Sequence, residues 1–336
     1  MTANLITDVP GVRVGSAHDA RLASGVTAIV FDEPAVASIA IHGGAPASRD
    51  TELLAPHMTV ERVDAFVLSG GSAFGLDAAG GAISYLASQG RGFPMRKIRV
   101  PIVPGASLFD LENGGDKAWG RMPPYWEMGY AAAEAAGPRF ALGTAGAGFG
   151  ATTFDLKGGL GSASAATSRG FRVGALVACN AVGRTTRGAS PYFWAAHHER
   201  DGEFGGLGAG PPAGETIGDD HPLAVRFKND APANTSLAVV VAEATLTKAQ
   251  ALRLAIAAQD GFALAIRPAH APTDGDTVFA AATLRKGPPQ PRDLAEICAL
   301  AAECVARAVA RAIYEAVPLA VEGAQPSWRG RYGKPD

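Results

Sequence analysis

The sequence predicts a mixed α/β fold, α+β in its finer class. Three observations carry that expectation. Apolar runs rich in β-branched residues recur along the chain, at 26–31, 36–41, 65–68, 171–179 and 237–241. Between and after them lie windows that read as helices, at 76–88, 126–136, 248–261 and 293–316. Glycine is abundant, at 42 of 336 residues, and supplies the tight turns and close backbone approaches such a fold needs.

In chain order, 26–31 and 36–41 read as two short strands joined by Asp32-Glu33-Pro34, a hairpin. The strand at 65–68 enters Ser69-Gly70-Gly71-Ser72-Ala73-Phe74-Gly75, and a helix follows. N–H groups at such a helix start stabilise negative charge, although a plain tight turn reads the same residues equally well. The segment 98–104 reads as an edge strand limited by its prolines. Asp116-Lys117-Ala118-Trp119-Gly120 opens a helical patch, interrupted by Pro123-Pro124. From Arg184 to Asn234 periodicity fades and Gly, Pro, Asp, Glu and His accumulate, so a long functional or mobile connection is expected. Thr247 with Gln250 forms a capping box that starts the helix at 248. Asp274-Gly275-Asp276-Thr277 is a tight acidic turn before a strand at 278–284. The final helix carries a narrow polar stripe at Glu296, Glu303, Arg307 and Arg311, so it is largely buried. The basic tail from Trp328 to Lys334 reads as loose or used in assembly.

Composition sets limits on function. With 47% hydrophobic and 18% charged residues the chain suits a large soluble core. A net charge of −2 implies no nucleic-acid or anionic-membrane partner. Three cysteines, Cys179, Cys298 and Cys304, stand in apolar settings, so no disulfide framework is expected and a reducing compartment fits. No apolar run approaches the ~20 residues that span a bilayer. The N-terminus lacks a basic n-region and a long apolar h-region. A cytoplasmic protein is expected.

Several short motifs carry little. Gly146-Ala147-Gly148-Phe149-Gly150 lacks dinucleotide-loop spacing, and Gly158-Gly159-Leu160-Gly161-Ser162 lacks a phosphate-loop lysine. Gly70-Gly71-Ser72-Ala73-Phe74 has Phe74 where a nucleophile elbow needs glycine. His197-His198-Glu199 and the cysteines do not have metal-site spacing. Asp274-Gly275-Asp276 lacks the downstream glutamate of a calcium loop.

The junction at Asn234-Thr235 is different. A polar, proline-containing loop, Asn229-Asp230-Ala231-Pro232-Ala233, runs into a hydroxyl residue at the mouth of the strand Leu237–Val241. Cleavage between Asn234 and Thr235 would place a free α-amine and a hydroxyl on one residue, a recognised way to activate a weak nucleophile. An α-amine has a reference pKa of about 7.7–8.0 and suits general-base work near neutral pH. On local sequence alone an ordinary loop-to-strand junction is the better reading of Thr235.

Taken together, Ile6-Thr7-Asp8-Val9-Pro10-Gly11-Val12-Arg13-Val14-Gly15, Gly43-Gly44-Ala45-Pro46, the run from Leu68 to Ala78, the Asp116-Lys117-Ala118 patch, Lys157-Gly158-Gly159-Leu160-Gly161-Ser162, Asn180-Ala181-Val182-Gly183, Asn234-Thr235-Ser236 and Asp274-Gly275-Asp276-Thr277 shift that balance. The chain resembles the DmpA-like self-cleaving N-terminal-nucleophile peptidases and amidohydrolases over nearly its whole length. Threonine after asparagine is the pattern of the 6-aminohexanoate (nylon) oligomer hydrolase branch. The resemblance implies a four-layer αββα sandwich, shared with ornithine acetyltransferase-like proteins, in one domain. It implies self-cleavage into a 1–234 α chain and a 235–336 β chain, and homo-oligomers such as tetramers of αβ units. It makes Thr235 the nucleophile, with Asp274 and Asp276 orienting its amine and hydroxyl, Lys117 a cation beside these acids, and Asn180 an oxyanion donor. Gly71 and Ser72 supply helping backbone N–H groups. Phe74 stands where that branch has a tyrosine. The implied activity is hydrolysis of small linear amides or peptides through an acyl-enzyme, without metal or organic cofactor. Acyl transfer to another acceptor, or a non-catalytic binding protein on the same fold, are the rival readings.

Overall fold

A computed structural model describes residues 3–212 and 234–333. The polar loop at 229–233 and the end of the basic tail lie outside them. The first half of the chain forms β1 (Val12–Asp19), β2 (Ser24–Ile41), β3 (Ala47–Arg49), β4 (Arg62–Ser69), α1 (Ser72–Gly75), α2 (Ala78–Ser88), β5 (Phe93–Met95), β6 (Ile98–Val100), β7 (Gly105–Ser107) and α3 (Tyr125–Glu134). The second half forms β8 (Gly159–Ala166), β9 (Arg172–Cys179), β10 (Leu237–Ala244), α4 (Lys248–Ala258), α5 (Asp260–Ala265), β11 (Thr277–Lys286), α6 (Pro291–Tyr314) and α7 (Trp328–Tyr332).

The expected hairpin at 26–41 is not formed. Both halves belong to the single 18-residue strand β2. Its first half pairs with β1 and β4, and its second half with β11. The register against β4 shifts between Val30 and Ala35, so Asp32-Glu33-Pro34 marks an irregularity within a strand. A local turn signal lost here to long-range pairing on both flanks. The strand order is β3-β7-β4-β2-β11-β10-β9-β8, with β1 also on β2.

Period-2 alternation sorts this sheet into layers. In the first half of β2, Val26, Ala28 and Val30 join a core with Ala78, Ala82 and Met128 of α2 and α3. Ile29 and Phe31 point the other way, into a middle core with Phe66, Leu237, Val239 and Phe279. In β10, Ala238, Val240 and Ala242 join a third core with Leu254 of α4 and Ile297, Val305 and Val309 of α6. Three cores between helices, strands, strands and helices make the four-layer αββα sandwich.

The helices begin where their chemistry directs. Thr247 accepts from Gln250 N–H, and the Gln250 side chain accepts from Thr247 N–H, the expected box. Pro291 occupies the first turn of α6. In α6, Arg307 is buried against Glu203, with Nε to Oε1 at 2.5 Å and Nη2 to Asn4 Oδ1 at 2.8 Å. Arg307 and Arg311 therefore anchor the N-terminal segment and the long connection, while Glu296 and Glu303 stay partly exposed. Two other expectations change. Residues 116–119 form no helix. The described tail is not loose: Trp328 is buried and stacks on Phe193 at 5.5 Å.

Phe279 and Phe66 stack at 4.7 Å in the middle core, both fully buried. Phe279→Ala is expected to cost about 3–5 kcal/mol. Urea unfolding should show a lower midpoint with an unchanged slope.

Candidate active site

Parallel pairing builds the site. β10 and β11 run side by side from the same end, with Leu237 opposite Thr277. Just before them Asn234 bridges Asp274. Gly275 N–H donates to the Asn234 carbonyl at 3.0 Å, and Thr277 N–H to the Ser236 carbonyl at 3.1 Å. Asn234, Thr235, Asp274, Gly275 and Asp276 thus share one buried corner.

Thr235 is 4% exposed. Its Oγ1 donates to the carbonyl oxygen of Asn234 at 2.5 Å. That oxygen also accepts the Gly275 N–H, so two donors converge on the carbonyl of the Asn234–Thr235 bond. The Thr235 N–H donates to the Asn180 carbonyl at 3.1 Å. A Cβ on Gly275 would stand 2.5 Å from Thr235 Oγ1, closer than any real contact. Only glycine leaves the hydroxyl its place.

The loop after β2 braces the turn. His42 and Gly43 donate to the Asp276 carbonyl at 3.0 and 3.2 Å, and Ala45 to the Asp274 carbonyl at 2.8 Å. A Cβ on Gly43 would lie 2.3 Å from Asp276 N. The Asp276 carboxylate accepts Ser236 N–H on Oδ1 at 2.9 Å. Its Oδ2 accepts His270 N–H and meets His270 Nδ1, each at 3.0 Å. Sequence reading missed His270. Burial opposes its charge, but the bond to Asp276 and that carboxylate's charge outweigh burial and raise its pKa. His42 packs on it edge to face at 5.3 Å, and burial with the neighbouring His270 lowers the His42 pKa. Cys179 ends β9 close to Ser236 and the aspartates, and burial pushes its thiol up to about 12, so it stays neutral.

The other expected residues are placed at varying removes. Asn180 is fully buried. Its Oδ1 accepts Thr152 N–H and its Nδ2 donates to the Phe109 carbonyl, both at 2.9 Å. Gly71 N–H donates to Asp110 Oδ1 at 2.7 Å and Ser72 N–H to the Leu108 carbonyl at 2.9 Å, so both donors are engaged within the fold. The segment 108–110 thereby ties the Gly71-Ser72 loop to Asn180. Gly71 and Ser72 both have positive φ, 83° and 52°, which glycine tolerates and serine pays for with strain. Phe74 is 48% exposed and meets Trp119 edge to face at 5.3 Å.

Lys117 is held by the Leu22 carbonyl and by Asn113 Oδ1. Burial lowers its pKa, against Asp110 and Asp116, which favour its charge. Its described contacts place it with Asp110 rather than with Asp274 and Asp276. A second lysine, Lys157, is fully buried and donates to the carbonyls of Gly148, Ala151 and Gly158 at 2.8–3.1 Å. It shapes the Ala151–Thr152 segment that holds Asn180. Its Lys-Gly-Gly run was the available signal, but burial of the amine was not readable from it. Among the described residues no cluster of three His, Cys, Asp or Glu is arranged to hold a metal ion.

A hydroxyl, an adjacent amide carbonyl with an N–H aimed at its oxygen, and a buried carboxylate are the parts of acyl transfer. The chain matches the family described as peptidase family S58 across residues 4–325. It is 42% identical to an uncharacterized aminopeptidase of Mycobacterium tuberculosis, over 94% of this chain and 95% of that one. It is 39% identical to an uncharacterized aminopeptidase of Mycobacterium leprae, over 94% and 92%. Among solved structures it superposes on a Burkholderia sp. beta-aminopeptidase with TM-score 0.70 at 22% identity, covering 98% of this chain and 92% of that one. It also matches the L-aminopeptidase D-Ala-esterase/amidase of Ochrobactrum anthropi, a variant of the Ntn hydrolase fold, with TM-score 0.67 at 19% identity, covering 94% and 87%. The chain belongs to peptidase family S58, the DmpA-like family of peptide-bond hydrolases that its sequence resembles.

Proposed function

We propose that this protein is an N-terminal-threonine aminopeptidase or amidase that activates itself by cutting the Asn234–Thr235 bond. The observation that carries the reading is the carbonyl of Asn234, which receives both Thr235 Oγ1 and Gly275 N–H. In the first stage Thr235 Oγ attacks that carbonyl carbon. Gly275 N–H stabilises the oxyanion, and one such donor is worth roughly 2.7–4 kcal/mol. The C–N bond breaks as the hydroxyl proton passes to the departing nitrogen. Water then hydrolyses the resulting ester, leaving an Asn234 carboxylate and a free Thr235 with amine and hydroxyl.

In the second stage the Thr235 amine takes the proton of its own hydroxyl, directly or through water. Oγ attacks a substrate amide, the substrate amine departs with the proton, and water releases the acyl group. Asp276, held by Ser236 N–H and His270, orients the new terminus. Asp274 and Asn180 keep the roles the resemblance implies, Lys117 stands with Asp110 apart from the acids it was expected to neighbour, and Phe74 with Trp119 offers an exposed aromatic wall to the substrate. Thr after Asn supports linear 6-aminohexanoate amides as candidate substrates. The names of the structural neighbours support short peptides with a free amino end, β-amino-acid peptides and D-alanyl esters or amides. Assembly into αβ homo-oligomers belongs to the same proposal.

Intact mass spectrometry should show two fragments, split between Asn234 and Thr235, with Thr235→Ala uncut. A single uncut wild-type chain overturns the reading. Gly275→Ala keeps the N–H but sets its Cβ against Thr235 Oγ1, and should slow fragment formation by about 10²-fold, followed by gel densitometry over time. Among cleaved preparations, hydrolysis of short peptides and 6-aminohexanoate dimers should release new amine, and no release from any amide would favour a binding protein.

A further inference from the structure

We infer that His270 is a positioning residue that supplies the positive charge opposite Asp276 and so keeps the Thr235 amine available as a base. This rests on the reading of Thr235 above. His270 sits six residues before Asp276 and reaches back to it twice, through its backbone N–H and through Nδ1, each at 3.0 Å from Oδ2. Its φ of 56° is left-handed, a conformation a histidine adopts at a cost. The fold accepts that strain and obtains a second bond to one carboxylate oxygen. Among the described residues, His270 is the basic side chain paired with Asp276.

The charge logic is direct. A buried carboxylate beside the new terminus favours an ammonium, which cannot accept the hydroxyl proton. When His270 is protonated, its imidazolium on the far side of that carboxylate offsets the pull and leaves more of the amine neutral. The charged and titratable groups around His270 agree. Asp276 faces it from the start of β11, and Asp260 from α5, both favouring its charge. His42, after β2, presents its ring at 5.3 Å and is itself shifted toward the neutral form. Arg267 shares a shallow pocket of about 220 Å³ with His270 but turns its guanidinium over Trp194 at 5.8 Å. The His270 side chain, which lines that pocket, is 22% exposed. Because its folded pKa is raised, the contribution of the pair to stability is present below the ordinary value of about 6.5 and is lost as pH rises through the folded value.

The test uses the self-cleaved protein and a fluorogenic amino-acid amide that it turns over. His270→Asn keeps the backbone N–H and a short donor but removes the charge. Its acidic limb of kcat/KM should move to higher pH by about half to one unit, with KM nearly unchanged at the plateau. An unmoved limb with only a lower kcat overturns the inference, while a wild type that neither cuts nor turns over overturns the underlying reading instead. In case His270→Asn fails to fold, NMR titration of the wild-type histidines provides a second measurement. One ring should titrate above about 6.5 and lose that elevation in Asp276→Asn. No such ring overturns the pairing.

Discussion

The site depends on the parallel registration of β10 with β11. Parallel strands start at the same edge of a sheet, so the loops that feed them emerge together. Segments 40 residues apart in sequence, at Asn234-Thr235 and at Asp274-Gly275-Asp276, are thereby locked opposite each other. Helices α4 and α5 form the crossover between them and cover one sheet face. Antiparallel pairing of the same strands would place the acidic turn at the far end of Val239 and Val241. Everything else in the site is secured to this pair. The 42–45 loop closes over the turn, and β9 delivers Asn180 from the other flank.

Much of this was legible in the chain, for physical reasons that differ by element. β10 is a run of valines with no competing pattern, and α4 carries its own start signal in Thr247 and Gln250. Local preference and tertiary demand agree there. They disagree at Asp32-Glu33-Pro34, where turn chemistry predicts a hairpin but β11 and β4 hold β2 straight on either side. The four-layer arrangement came from the family pattern, since no window of sequence says which of two cores a strand face meets.

The candidate site divides in the same way. Thr235, Asp274 and Asp276 were singled out only because many segments together resemble the family, since each local stretch reads as an ordinary junction or turn. His270 was not, because Ala269-His270-Ala271 has no spacing that marks it, and only its left-handed backbone returns the ring to Asp276. The lysines show the limit of composition. Lys117 and Lys157 look alike in sequence, yet one is held by a surface loop and the other is sealed among three carbonyls. Burial of a charge is a property of the assembled layers and is written in no single stretch.

The interior position of β10 has a consequence for the protein as an assembly. The strand is hydrogen-bonded along both edges, to β9 and to β11, and its side chains fill two cores. A cut at its entrance would leave the two pieces joined by an interface as intimate as a folded interior. Separating them would mean unfolding both. Such a nicked protein behaves as an obligate heterodimer made from one gene product. Its melting would then depend on dilution, because re-forming the fold after separation requires two molecules to meet instead of one chain to close.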